Sequence, residues 1–263
     1  MRTKEPKRMA STEATVSKRN RLITQDSPFA IKESYVKLRT NLLFCMTADG
    51  ERPCKTFAVT SAKPSEGKST TAANIAISCA MLGKKTMLID ADLRKPTQRK
   101  LWTIETTTGL CDYLADLSAL QLSKVDTIPL WITCTGTIPP NPSEMLSSDR
   151  MKSYVQECAQ VYDYVIIDTP PINTVADAQI VSAYVDGVVI VSRSGLTTTD
   201  ELQDAIEAIH SAGGNFCGVV LNDVNLKSSK YGYRQNYYKY GYRYGHRYGY
   251  GPKDGYTSSY GGN

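Results

Sequence analysis

From residue 50 onward, short apolar runs alternate with longer stretches in which apolar residues recur every three or four positions. The runs are KTFAVTS (55–61), KTMLID (85–90), LWIT (130–133), YDYVIID (162–168), DGVVIVS (186–192) and FCGVVLN (216–222). Short apolar segments bounded by polar residues predict strands. Unbroken runs such as VIID and GVVIV predict strands covered on both faces. The intervening stretches predict helices near 68–82, 143–160, 175–184 and 198–212. Upstream, Tyr35, Leu38, Leu42 and Leu43 share a helical face within 22–48, after Ser27-Pro28. Strand–helix alternation of this kind gives an α/β fold, a mostly parallel sheet with helices on both faces. One domain is expected over 27–226, after a basic, flexible segment 1–26 and before a C-terminal segment 227–263 of different character.

Composition narrows the class. The 263 residues are 41% hydrophobic and 22% charged, ordinary for a soluble globular chain. No run of about 18 apolar residues predicts a transmembrane helix. The opening MRTKEPKRMA has no apolar stretch behind it, so a cytoplasmic chain is expected. Seven cysteines include no C-x-x-C pair, and are expected as reduced, small hydrophobes. With only His210 and His246, neither a zinc site nor a histidine-based triad is expected.

The net charge of +5 conceals a partition: residues 1–21 carry +5, residues 227–263 carry +6 and the middle carries −6. The C-terminal segment is unusual in another way. Tyr231, Tyr233, Tyr237, Tyr238, Tyr240, Tyr242, Tyr244, Tyr248, Tyr250, Tyr256 and Tyr260 are interleaved with Gly, Lys and Arg, almost without aliphatic residues. Such a segment has too little to bury and is expected to be disordered. Aromatics among arginines can also stack on single-stranded nucleic acid, but the motifs in the domain point elsewhere, and nucleic acid is not expected as the partner.

Three motifs carry chemistry. SAKPSEGKST (61–70) follows a predicted strand and opens a predicted helix. It fits G-x-x-x-x-G-K-[ST] except that Ala62 replaces the first glycine. In this P-loop pattern, backbone amides and a helix N-terminus form a nest for anionic oxygens. Pro64, Ser65, Glu66, Gly67, Lys68, Ser69 and Thr70 are thus the candidate nucleotide cradle. Lys68 supplies charge for the β- and γ-phosphates, and Ser69 a hydroxyl for Mg2+. MLIDADLRKP (87–96) places Asp90 and Asp92 at the carboxyl end of a strand, two residues apart and hence expected on one side. YVIIDTPP (164–171) ends an apolar strand in Asp168, the Walker-B arrangement that sets a carboxylate near the metal.

In this order the three motifs resemble the bacterial tyrosine kinases of capsule and exopolysaccharide assembly, which carry a phosphate loop, a second motif hhhDxDxR, a Walker-B strand and a tyrosine-rich C-terminus. GTIPPNPSEML (136–146) resembles that family's G-x-x-P-P-N-P-S-E-L-L stretch; physically it reads as a rigid loop feeding a helix capped by Ser143. The resemblance is to the Gram-positive form, in which the kinase is a separate chain.

It implies a P-loop NTPase fold and an ATP- and Mg2+-dependent protein-tyrosine autokinase that regulates polysaccharide synthesis and export. Its targets would be the tyrosines from Tyr231 to Tyr260, phosphorylated between subunits. It implies Lys68 on the phosphates, Mg2+ held by Ser69, Asp92 and Asp168, Asp90 accepting the tyrosine proton, and Asn222 near adenine. It further implies a transmembrane adaptor that recruits the chain to the membrane, and ring-like self-association.

The family's E-x-x-R-x-x-R helix, linked to ring assembly, is matched by Glu33 and Arg39, but Val36 replaces the middle arginine. Lys37 lies about 100° further round a helix. The competing reading is a partitioning or septum-site ATPase switch without kinase activity; Lys63 occupies the place of that group's extra loop lysine, whereas a tyrosine-rich end and P-P-N-P-S-E are not expected there.

Overall fold

The computed structural model describes residues 21–224, which up to Asp223 belong to one folded unit. Residues 1–20 of the basic N-terminal segment and every tyrosine from Tyr231 to Tyr260 lie outside the described residues. The strands are β1 (Thr56–Ser61), β2 (Thr86–Asp90), β3 (Ser123–Val125), β4 (Leu130–Thr133), β5 (Tyr164–Asp168), β6 (Gly187–Arg193) and β7 (Phe216–Asn222). They form one sheet in the order β3-β4-β2-β5-β1-β6-β7, parallel except for β3 against β4. Strand β3 is three residues at the edge, SKV, two half-buried and Lys124 exposed, with no apolar run to announce it.

The central strands feed two cores by simple alternation. Phe57, Val59, Leu88, Ile166, Val189 and Val191 point to one face. Ala58, Met87, Ile89, Val165, Ile167, Val188 and Ile190 point to the other. The first face is covered by α1 (Phe29–Leu43), α2 (Lys68–Met81) and α3 (Gln98–Trp102), through Leu42, Ala72, Ala76 and Leu101 among others. The second is covered by α4 (Leu110–Leu114), α5 (Pro142–Ser147), α6 (Asp149–Val161), α7 (Asp177–Ser182) and α8 (Thr199–Ser211), through Leu110, Leu146, Met151, Val181 and Ile209. The central strands β1, β2, β5 and β6 are covered on both faces, as their uninterrupted apolar runs require, whereas β7 at the edge leaves Val219 and Leu221 exposed. All seven cysteines are free thiols, and burial pushes Cys134 up to about 12.

The helix expected over 143–160 is two helices. Ser148 adopts an extended backbone that ends α5, and its hydroxyl accepts the Met151 amide at 3.2 Å, capping α6. Ser143 is not a cap: Asn141 is the N-cap of α5, because Pro142 takes the first helical position, where a missing N–H costs nothing. None of the described helices is long and apolar enough to cross a membrane.

Candidate active site

Open parallel sheets bind ligands beyond the carboxyl ends of their strands. At that edge β1 runs into the phosphate loop, and Asp90 and Asp168 end β2 and β5 as cross-strand neighbours. A cleft of about 430 Å³ opens above them. Pro64, Ser65, Gly67, Lys68, Ser69 and Thr70 line one wall, with Asp92, Arg94 and Lys95 facing. Pro170, Pro171, Thr174 and Val175 come from the loop after β5, and Arg21 from the first described residue.

Lys68 is the first residue of α2, just after Gly67 turns with φ 91°. A side chain at Gly67 is blocked twice, by that backbone angle and by the Asn222 amide nitrogen, which would lie 2.2 Å from a Cβ. The Lys68 ammonium is 2.7 Å from Asp92 Oδ2, 3.4 Å from Asp168 Oδ1 and 3.1 Å from Ser69 Oγ. Burial works against its charge, but Asp168 and Asp92 outweigh that and hold it above the ordinary lysine value. Lys68, Ser69, Asp92 and Asp168 thus form one cluster, as the motifs predict.

Asp90 sits differently from Asp92. Strand β2 ends at Asp90, so the alternation expected to put both carboxylates together does not continue to Asp92. Asp92 faces the cleft and also accepts the Lys95 amide at 3.0 Å. Asp90 lies beneath, fully buried, with Oδ2 accepting the Thr97 and Gln98 amides at 3.1 and 2.9 Å. Its Oδ1 has no partner among the described residues. Burial, and then the charge of Asp168, push its pKa well above the ordinary carboxylate range.

Two of the predicted nucleotide-binding residues brace the loop rather than line the cleft. Glu66 is fully buried: Oε2 accepts the Lys63 amide at 2.7 Å, and Oε1 accepts the Arg193 amide at 3.2 Å and the Thr197 hydroxyl. Asn222 donates its side-chain amide to the Glu66 carbonyl at 2.8 Å, behind the loop. Lys63 pairs with Glu201 at the start of α8. On α1, Arg39 donates to the Ser78 carbonyl of α2 at 2.8 Å, a contact inside the chain, and Glu33 is half-buried.

Gln98 was not predicted. Its amide nitrogen donates to Asp168 Oδ2 at 2.8 Å and to the Ser69 carbonyl at 3.0 Å, joining the loop to the acidic cluster. No motif marks it; it stands eight residues beyond Asp90, where only the fold brings it back.

The residues present fit a nucleoside triphosphate with a divalent cation. The amides of the phosphate loop and a lysine adjoin a hydroxyl and two carboxylates, oxygen donors of the kind a hard divalent cation takes.

Comparison with known proteins agrees. Residues 53–247 match a family model described as ParA, NUBPL iron-transfer P-loop NTPase. The tyrosine-protein kinase YwqD of Bacillus subtilis (strain 168) is 44% identical over 204 residues, 76% of this chain and 85% of that protein. The putative tyrosine-protein kinase CapB of Staphylococcus aureus is 35% identical over 237 residues, 89% of this chain and 99% of that one. Among solved structures, the chimerical protein CapA2B2 superimposes with a TM-score of 0.69 at 36% identity, covering 76% of this chain and 86% of that one. The septum site-determining protein MinD of Pyrococcus horikoshii OT3 reaches 0.55 at 18% identity over 64% of this chain and 69% of that one, which shows a shared fold alone.

Proposed function

We propose, from the premise that this chain belongs to the bacterial tyrosine-protein kinases built on the P-loop NTPase fold, how its site transfers phosphate from ATP to tyrosine. The chain is a protein-tyrosine kinase that binds ATP, and its relatives are kinases of capsule systems. The observation that carries the residue assignment is the ion-pair cluster of Lys68 with Asp92 and Asp168 beside the amides of the phosphate loop.

In this reading the loop amides and Lys68 hold the β- and γ-phosphates. Lys68 exchanges its carboxylate partners for phosphate oxygens when nucleotide enters. Ser69, Asp92 and Asp168 would hold Mg2+, which supplies positive charge against the phosphate oxygens. Asp90 accepts the tyrosine proton: a raised pKa makes a carboxylate a stronger base, and Oδ1 is the atom left to receive it. The Asp90 carboxyl is fully buried, so the tyrosine hydroxyl reaches it only when the residues that cover it move. Asn222 acts on the nucleotide through the loop it supports.

The phosphorylated residues are the cluster from Tyr231 to Tyr260, modified between subunits. A separate transmembrane adaptor recruits the chain to the membrane and activates it. Glu33 and Arg39 belong to a self-association surface, with Arg39 also tying α1 to α2.

The test is to incubate the purified full chain with MgATP and follow phosphotyrosine and free phosphate together. Phosphotyrosine that accumulates in wild type, falls at least tenfold in Asp90→Asn and Asp92→Asn, and falls in Asp90→Asn with ATP affinity nearly unchanged fits the assignment. Phosphate release without phosphotyrosine would contradict it, in favour of the ATPase switch.

A further inference from the structure

The arginine of MLIDADLRKP and the serine of PPNPSE, 49 residues apart, meet on one buried carboxylate. Asp177, at the start of α7, is fully buried and must be paired to be tolerated there. Arg94 meets it as a fork, Nε to Oδ2 at 2.8 Å and Nη2 to Oδ1 at 3.0 Å. Ser143 closes the triangle: its hydroxyl donates to Asp177 Oδ1 at 2.6 Å and accepts from Arg94 Nη2 at 2.9 Å. The segments that hold Ser143 are themselves locked. Pro142 opens α5, the Tyr184 hydroxyl donates to the Leu146 carbonyl at 3.0 Å, and Gly136 passes Gly109 so closely that a Cβ would lie 2.5 Å from the Gly109 amide nitrogen.

A guanidinium has five N–H donors. Asp177 and Ser143 take three of Arg94's. The two on Nη1 have no acceptor among the described residues, and Arg94 lines the same cleft as Lys68, Ser69 and Asp92. The hydrogen bond that Arg94 donates to Asp177, and beyond it the charge of Asp92, hold the guanidinium in its charged form. Nη1 thus offers a charged donor, fixed in direction by the fork on Asp177, to a phosphoryl oxygen.

We propose that Arg94 is a phosphoryl-binding residue whose ligand is the γ-phosphoryl group of ATP, and that Asp177 and Ser143 are its positioning residues. The proposal rests on the kinase reading and gives the PPNPSE stretch a role in it: the loop sets the guanidinium at the phosphate cleft. Nothing is added to the balance of the transfer, since Arg94 neither gives nor takes a proton.

The experiment compares affinities of the full chain for ADP and for a non-hydrolysable ATP analogue, both with Mg2+, alongside phosphotyrosine formation and thermal unfolding. Arg94→Ala is expected to weaken the ATP analogue about tenfold or more, to leave ADP within about twofold, and to lower kcat about a hundredfold. Arg94→Lys keeps a charge but not the fork, and should recover only part of the preference for ATP over ADP. Ser143→Ala, a smaller change that spares the Arg94–Asp177 fork, should shift the same preference in the same direction by less. ADP and ATP-analogue affinities that fall together, or an unmoved preference with only a lowered Tm, would make the triangle a structural strut and overturn the proposal. If wild type forms no phosphotyrosine, the kinase reading fails; the comparison of ADP with the ATP analogue still decides the role of Arg94.

Discussion

Asp90 and Asp92 are two residues apart and chemically identical, yet the fold separates their roles. Asp92 is compensated by Lys68, whereas Asp90 is buried beside Asp168 with an oxygen unpartnered among the described residues. A carboxyl whose folded pKa is raised is bound to its proton more tightly in the folded than in the unfolded chain. Its contribution to stability is therefore fully present below the unfolded value, about 3.8, and is lost as pH rises toward the folded pKa. Asp90→Asn removes that loss, so the variant should unfold at a higher temperature than wild type at pH 7.5, with the difference shrinking toward pH 4. Calorimetry across that range checks it; a variant less stable at every pH would contradict the burial argument. Lys68, Asp92 and Asp168 were legible because phosphate chemistry forces their types and spacing. The depth of Asp90 and the contacts of Gln98 were not, because each depends on the turn after β2 folding back onto the strand ends.

The phosphate loop is held from behind as much as it is built from within. Glu66 accepts amides from Lys63 in the loop and Arg193 at the end of β6, and Asn222 at the end of β7 holds the Glu66 carbonyl. Glu66→Ala would leave those two amides unpaired, at a cost of about 1–3 kcal/mol in urea unfolding, and ATP affinity should fall with it. An unaltered unfolding midpoint would mean that the brace is dispensable. Ser148→Ala tests the break between α5 and α6: loss of the cap should cost about 1 kcal/mol, read as a lowered midpoint. Six of the seven strands stood out in the sequence because each reads as a solid apolar run, although β7 at the edge leaves Val219 and Leu221 exposed. Edge strand β3 and the five-residue helices α3 and α4 did not, since elements that short carry no period. The same limit hid the boundary at Ser148, where a single extended residue divides one continuous amphipathic pattern.

At the scale of the molecule, charge is arranged by segment. The chain from 227 to 263 carries +6 against −6 in the middle of the sequence. Each phosphotyrosine adds about −1.5 to −2 at neutral pH, so about four would cancel the positive end and further ones reverse it. The unphosphorylated chain should therefore self-associate at low salt and dissociate when heavily phosphorylated, as sedimentation velocity would show; an unchanged sedimentation coefficient would contradict a charge switch. The fold and the phosphate site were readable because strands, loop and carboxylates are local patterns. The assembly was not, because Val36 breaks the arginine pattern and Arg39 is spent within the chain on Ser78. What joins these scales is a kinase that carries its own tyrosines. The most direct test is phosphopeptide mass spectrometry of the full chain isolated from its native cell, wild type against Lys68→Met at equal abundance. Phosphate on tyrosines between Tyr231 and Tyr260 in wild type, and its absence from Lys68→Met in a cell lacking the wild-type chain, is the predicted result. Unmodified tyrosines in wild type, or equal modification of both chains, would contradict it.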